Sequence, residues 1–155
     1  MVGIKDVAPD LLMPDGCITR IAPSASSVAD IARGREVLAA LGPFDIGQAA
    51  VVIDGHVVAV EDIEGTDGLL ARVARLRAQG RLRTKPARGV LVKAPKSSQD
   101  LRYDLPTVGP RTVEGAAKAE LAGIAVAAGH AIVVEPQAMI EGADKAGLFV
   151  QGIGA

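Results

Sequence analysis

AAVVIDGHVVAVE, residues 49–61, sets two apolar runs on either side of Asp54-Gly55. Asp-Gly tolerates the left-handed backbone of a tight hairpin turn, and Val- and Ile-rich flanks favour extended chain. The stretch therefore reads as a hairpin with arms AAVVID (49–54) and HVVAVE (56–61). Its arms are apolar almost throughout instead of alternating, which predicts a sheet with both faces covered. Upstream, Val28, Ile31, Leu38 and Leu41 recur at helical spacing between a Ser26 or Ser27 cap and the stop at Gly42-Pro43. Downstream, a helix beginning at Thr66 or Asp67 presents Leu69, Leu70, Val73 and Leu76 on one face, and GVLVKA (89–94) follows as a strand.

The alternation continues to the end of the chain. Pro110 occupies a first helical position, with Val113, Ala116, Ala117 and Leu121 as the face to be buried. GIAVAAGHAIVV (123–134) reads as two short strands joined around Gly129, Pro136 starts a helix running toward Lys145, and LFVQG (148–152) closes as a strand. Alternating strands and helices with an inserted hairpin imply an α/β fold, a mixed β-sheet covered by helices on both faces.

Composition agrees with one core. The 155 residues suffice for a single domain, and with 49% hydrophobic but only 2% aromatic residues the core must be Val, Ile, Leu and Ala. A net charge of −1 gives no global attraction to nucleic acid or anionic membrane, so an electrostatic site has to be local. Cys17 is the only cysteine, which excludes an internal disulfide and fits a reducing, cytoplasmic setting. No apolar stretch approaches the roughly 18 to 20 residues of a membrane span, so membrane contact is expected to be peripheral. Motifs for zinc deamination, for a dinucleotide-binding glycine loop and for a P-loop are absent.

Two segments carry the candidate chemistry. AVEDIEGTDGLL (59–70) places Glu61, Asp62, Glu64 and Asp67 between a strand end and a helix start. These carboxylates suit a hard cation such as Mg²⁺, and Thr66 and Asp67 equally suit a helix cap and first turn. GVLVKAPKSSQDLRYDLPTVGP (89–110) gathers Lys93 and Lys96 around Pro95 and then alternates strictly from Asp100 to Leu105. In an extended segment Asp100 and Asp104 share a face but stand about 13 Å apart, too far to chelate one ion; in a helical turn they would be about 5 to 6 Å apart and could share it. Gly109 falls at a helix cap, where it leaves first-turn amides open to a phosphate oxygen, or serves only as a tight turn. Seven basic residues and no acidic one lie between Arg72 and Arg88, a surface for anionic lipid or phosphate or simply a solvated helix face. No aromatic interleaves them, which argues against nucleic acid.

GVLVKAPKSSQDLRYDLPTVGPRTVEGAA, with VAVEDIEGTDGLLARVA before it, LAGIAVAAGHAIVV and AGLFVQG after it, and the early DIGQAAVVIDG, resembles the LpxI family of UDP-2,3-diacylglucosamine pyrophosphatases over nearly the whole chain. The resemblance implies a three-layer α-β-α sandwich with a mixed β-sheet. It also implies hydrolysis of UDP-2,3-diacylglucosamine by water attack at the α-phosphorus, releasing lipid X and UMP for lipid A synthesis, with Mg²⁺ or a similar divalent ion. Residues 1–155 are expected to form the catalytic domain, the family's N-terminal domain being absent, in the cytoplasm and peripheral at the inner membrane.

The charged motif of the family falls on Lys93, Lys96, Gln99, Asp100, Arg102 and Asp104, and its Glu-Gly-Thr-Asp motif on Glu64 to Asp67. The resemblance makes Asp104, then Asp100, the acidic residue needed for catalysis, holding metal or orienting water. Lys93 and Lys96 neutralise the diphosphate, while Asp67 or Glu64 supplies a second carboxylate to the metal. Gln99, Arg102, Thr66, Thr107 and Gly109 complete the expected substrate contacts. Ser98 stands where relatives often carry Gly. The expected partners are the lipid substrate, the membrane surface and the N-terminal domain, with a homodimer also open. The competing reading is a catalytically incompetent fragment that binds the nucleotide diphosphate or only pairs with its partner domain.

Overall fold

The structure is a computed structural model that describes residues 3–96 and 105–154. Its strands are β1 (Gly16–Cys17), β2 (Ala49–Ile53), β3 (His56–Val60), β4 (Val90–Lys93), β5 (Thr107–Val108), β6 (Gly123–Ala127), β7 (Ile132–Val133) and β8 (Phe149–Ile153). Its α-helices are α1 (Ile4–Val7), α2 (Ala25–Leu41), α3 (Gly65–Ala78), α4 (Pro110–Lys118) and α5 (Pro136–Ala146). Six strands form one sheet in the order β1-β8-β6-β4-β2-β3. Strands β4, β6 and β8 run parallel, while β2 is antiparallel to both of its neighbours.

The hairpin forms as its sequence predicts. Asp54 and Gly55 take φ of +50° and +81°, the backbone that a two-residue turn matched to strand twist requires. Every residue of β2 is buried, but β3 is the sheet edge and buries only Ala59. The expectation of two covered arms therefore holds for β2 alone. Asp30 of α2, only 2% exposed, accepts the Gly55 amide at 2.7 Å and the Asp54 amide at 3.1 Å, tying the turn to the helix above it.

Strand parity separates two cores. On one face Ala50, Val90, Val92, Ala125 and Phe149 pack with Ile31 and Leu38 of α2. On the other, Val51, Ile53, Leu91, Ile124, Val126 and Val150 meet Leu69, Leu70 and Val73 of α3, Val113 and Ala116 of α4, and Met139 and Ala143 of α5. The result is three layers, helix, mixed sheet and helices, held by burial of aliphatic area at about 25 cal/mol per Å².

Several local expectations change. Helix α2 starts a turn earlier than expected, with Ser24 as its cap accepting the Ser27 amide at 3.2 Å. Its buried face is Ser27, Asp30, Ile31, Gly34 and Leu38, which rotates Val28 outward to 56% exposure. At α3 the helix opens on Gly65 at φ +73°, and Thr66 is not its cap. Gly129, at φ +68°, turns the chain out of the main sheet, so β7 pairs in parallel with β5 instead of beside β6. That small ladder brings Thr107 and Ile132 into register. Among the described residues no helix is long and apolar enough to cross a membrane.

Candidate active site

Strands β3, β4, β6 and β8 share one direction, because β2 is antiparallel to both β3 and β4. Their carboxyl ends therefore lie along one edge of the sheet. The connections that leave this edge lead into the N-termini of α3, α4 and α5, and open α/β sheets bind ligands in such a crevice. Here the crevice is a cavity of about 400 Å³ lined by Thr66, Asp67, Lys93, Thr107, Gly109, Arg111, Glu135 and their neighbours.

Lys93 is the last residue of β4, and alternation with Leu91 turns its side chain to the three-helix face. It is 6% exposed. Its ammonium donates to the Thr66 hydroxyl at 2.9 Å and to the Thr107 carbonyl at 2.7 Å. Burial pushes the Lys93 pKa below the ordinary lysine value, against the opposing charges of Glu61 and Asp67. Thr66 in turn donates to Glu61 Oε2 at 2.6 Å. An ammonium has three donors, so two are engaged by described residues while the charge remains beside the cavity.

The rim adds charges of both signs. Asp67, in the first turn of α3, pairs with Arg111, in the first turn of α4, at 2.9 Å. Glu135 lines the cavity just before α5 and holds a left-handed φ of +48°, strained for a residue with a side chain. Gly109 is the N-cap of α4 and Pro110 its first residue, as the sequence predicts. Its helix end is less open than expected. The Gly109 amide donates to Thr112 Oγ1 at 3.2 Å, the Thr112 amide turns back to the Gly109 carbonyl at 3.0 Å, and Pro110 has no amide hydrogen.

The predicted residues divide sharply. Lys93, Thr66, Thr107, Gly109 and Asp67 come together around the cavity. Lys96 is not among the residues lining this cavity, and in its described contacts its ammonium reaches Asp45 Oδ1 at 3.0 Å. Glu64 is bound to Arg72 at 2.6 Å and is no cavity residue. Its carboxyl is held below the usual carboxylate range by a hydrogen bond to its own backbone amide and by Arg72. Asp104, Asp100, Gln99 and Arg102 lie outside the described residues, as does the alternating segment up to Asp104. Among the described residues no group of three or more His, Cys, Asp or Glu could hold a metal ion. Of the expected metal carboxylates among the described residues, Asp67 faces the cavity and Glu64 does not, and one carboxylate suits Mg²⁺ when substrate oxygens and waters fill the remaining positions.

Other charged features resolve elsewhere. Arg77 donates to the Ala119 carbonyl at 2.8 Å and to Thr84 at 3.0 Å, and Arg88 pairs with Asp54. The basic run from Arg75 onward leaves the C-terminal end of α3, a helix of 14 residues and so about 21 Å from its N-terminus at the cavity. It cannot supply the cavity's charge. His130 Nδ1 donates to the Ala128 carbonyl at 2.8 Å, and neither His56 nor His130 lines the cavity. Arg111 and Glu135 are the site residues that the sequence reading missed. Arg111 was visible as a cation next to the Gly-Pro cap, whereas Glu135 reaches the site only through the β5–β7 pairing.

These features define a class: α/β domains with a helix-covered mixed sheet and a cation-bearing crevice at the carboxyl edge of its parallel strands. More particularly, the chain belongs to the family of the LpxI C-terminal domain, whose model matches residues 14–151. It is similar to the UDP-2,3-diacylglucosamine pyrophosphatase LpxI of Caulobacter vibrioides, with 45% identity over 151 residues, 97% of this chain and 54% of that relative. The chain thus spans about half the length of the curated relative it matches.

Proposed function

We propose that the crevice binds the diphosphate of UDP-2,3-diacylglucosamine and that the chain is the hydrolytic part of an enzyme releasing UMP and lipid X for lipid A synthesis. The observation that carries this reading is the buried Lys93 ammonium, aimed at a cavity rimmed by Arg111 and the N-terminus of α4. A diphosphate needs fixed cations where charge develops on the attacked phosphoryl group, and a donor held in place before the reaction costs no reorganisation. Support for the substrate comes from family membership and from the name of the similar Caulobacter protein.

Lys93 and Arg111 would hold the non-bridging oxygens, with Lys93 deep and Arg111 at the rim. Thr107 and Gly109 would wall the substrate in, with the Thr107 carbonyl holding Lys93 in place, and the carboxylate of Asp67 would either keep Arg111 oriented or release it to the ligand. Mg²⁺ or a similar divalent ion, when bound through Asp67 and Asp104, would supply further charge neutralisation. Asp104, with Asp100, would orient the water that attacks the α-phosphorus. An apolar depression of about 690 Å³ lined by Leu12, Met13, Ile18, Val133 and Ile140 shares no lining residue with the cavity but uses Val133 and Pro136, the sequence neighbours of the cavity's Val134 and Glu135, and would accept hydrocarbon. A cytoplasmic site, peripheral at the inner membrane, follows from such a substrate.

Incubating the chain, and in parallel the full-length Caulobacter relative, with UDP-2,3-diacylglucosamine and Mg²⁺ tests the reading. UMP and lipid X are expected, with a loss of about 10²- to 10³-fold in kcat/KM for Lys93→Ala, the scale of losing one oriented donor. Undiminished turnover in Asp104→Ala would remove Asp104 from its role. Binding of UDP with no UMP formed by either protein would replace hydrolysis with recognition alone.

A further inference from the structure

Glu61 is absent from the lining of the cavity, yet its placement is unusually well determined. Its amide continues the β2–β3 ladder by donating to the Ala49 carbonyl at 2.8 Å. Its carbonyl presses on Gly47, where φ of +50° and the lack of space for a Cβ together require glycine. With that backbone fixed, the carboxylate accepts the Thr66 hydroxyl at 2.6 Å. A hydroxyl has one hydrogen and two lone pairs. Once its hydrogen is given to Glu61, Thr66 can only accept from Lys93, whose ammonium stands 2.9 Å away. The direction of the chain is therefore fixed, from ammonium to hydroxyl to carboxylate.

We propose that Glu61 is a positioning residue: acting through Thr66, it keeps the Lys93 ammonium aimed into the cavity, ready for an anionic phosphoryl group. The proposal rests on the diphosphate reading for its ligand, but the relay itself is a property of these side chains. Without Glu61 the Thr66 hydroxyl is free to rotate and offer its hydrogen to the cavity, and Lys93 loses a fixed acceptor. Among the described residues, the charged groups around Lys93 are Glu61 after β3, Asp67 on α3, Arg111 on α4 and Glu135 before α5, with the neutral Thr66 and Thr107 in direct contact. Among them the negative charge of Glu61 opposes the effect of burial on Lys93.

The test uses the whole chain with ¹³C-labelled lysine, following the Lys93 resonance with pH by NMR and measuring UDP affinity by calorimetry. In Glu61→Gln the resonance is expected to titrate at lower pH than in the wild type, and UDP affinity to fall about tenfold, the scale of a charge-assisted hydrogen bond. Thr66→Val should lower UDP affinity as Glu61→Gln does and also move the Lys93 titration down, Thr66→Ser should behave as the wild type, and in UDP affinity Glu61→Gln combined with Thr66→Val should be little worse than Thr66→Val alone, since both break the same hydrogen-bonded path. An unmoved Lys93 titration in both Glu61→Gln and Thr66→Val would overturn the relay. A wild-type chain that ignores UDP, with the titration still displaced in the variants, would overturn the diphosphate reading and leave the relay standing.

Discussion

A lysine ammonium withdrawn from water is costly unless its hydrogen bonds are met, and a fold keeps one chiefly where charge is needed. Lys93 states that cost in measurable form. Its folded pKa lies below the unfolded value of 10.5, so the native state binds protons less readily than the unfolded chain. The resulting penalty is fully present below the folded pKa and disappears as pH rises through that value toward 10.5. The stability of the wild type relative to Lys93→Met should therefore climb across this alkaline window, as read by denaturant unfolding at a series of pH values. A difference that stays flat, or falls, would contradict the assigned burial. Lys93 was readable in the sequence because a cation ending an apolar strand has few bland explanations. Glu61 was visible only as one of several loop carboxylates, because its hold on Thr66 depends on two elements meeting. Lys96 was readable as a second cation of the same segment, and among its described contacts is the Asp45 carboxylate, which its position in the chain did not announce.

At the scale of elements, the joint between α2 and the sheet is the least tolerant. Gly34 lies so close to β4 that an added Cβ would stand 2.5 Å from Val92 Cγ2, with the methyl buried on both sides. Gly34→Ala should accordingly destabilise the chain by about 1 to 3 kcal/mol despite its better helix propensity. Val92→Ala alone should also destabilise, but the double variant should be less unstable than the sum, because the smaller neighbour vacates the space. Additive losses in urea unfolding would mean that helix and strand separate instead of clashing. The same helix secures the hairpin through Asp30, and Asp30→Ala should cost about 2 to 4 kcal/mol by leaving two turn amides without their acceptor. Asp30→Asn, which keeps one acceptor oxygen, should cost less. Elements with local determinants were readable: the Asp54-Gly55 turn, the Pro110 and Pro136 helix starts and the apolar strands all appear where expected. The β5–β7 ladder was not, since two-residue strands carry no periodicity and their partners lie over twenty residues apart.

For the molecule as a whole, the position of the crevice matters more than the size of either core. Its walls come from the end of β4, from β5 and from the starts of α3, α4 and α5, elements far apart in sequence that only the folded state brings together. The unfolded chain cannot assemble these groups, so an anion that fits the crevice binds the native state alone and stabilises it by mass action. At 100 times its dissociation constant, UDP should add about 2.7 kcal/mol, which for a chain of this length raises the unfolding temperature by roughly 5 to 11 °C. Uridine, with no phosphates to meet Lys93 and Arg111, should give little of that rise. Added salt should reduce the UDP effect more through the exposed Arg111 than through the buried Lys93, because screening acts mainly on charges that water reaches. Arg111→Ala should thus leave a weaker but less salt-sensitive shift, whereas Lys93→Ala should abolish most of it at any ionic strength. Equal shifts from UDP and uridine would locate the binding energy in the nucleoside, and the cationic crevice would then have to serve a different anion.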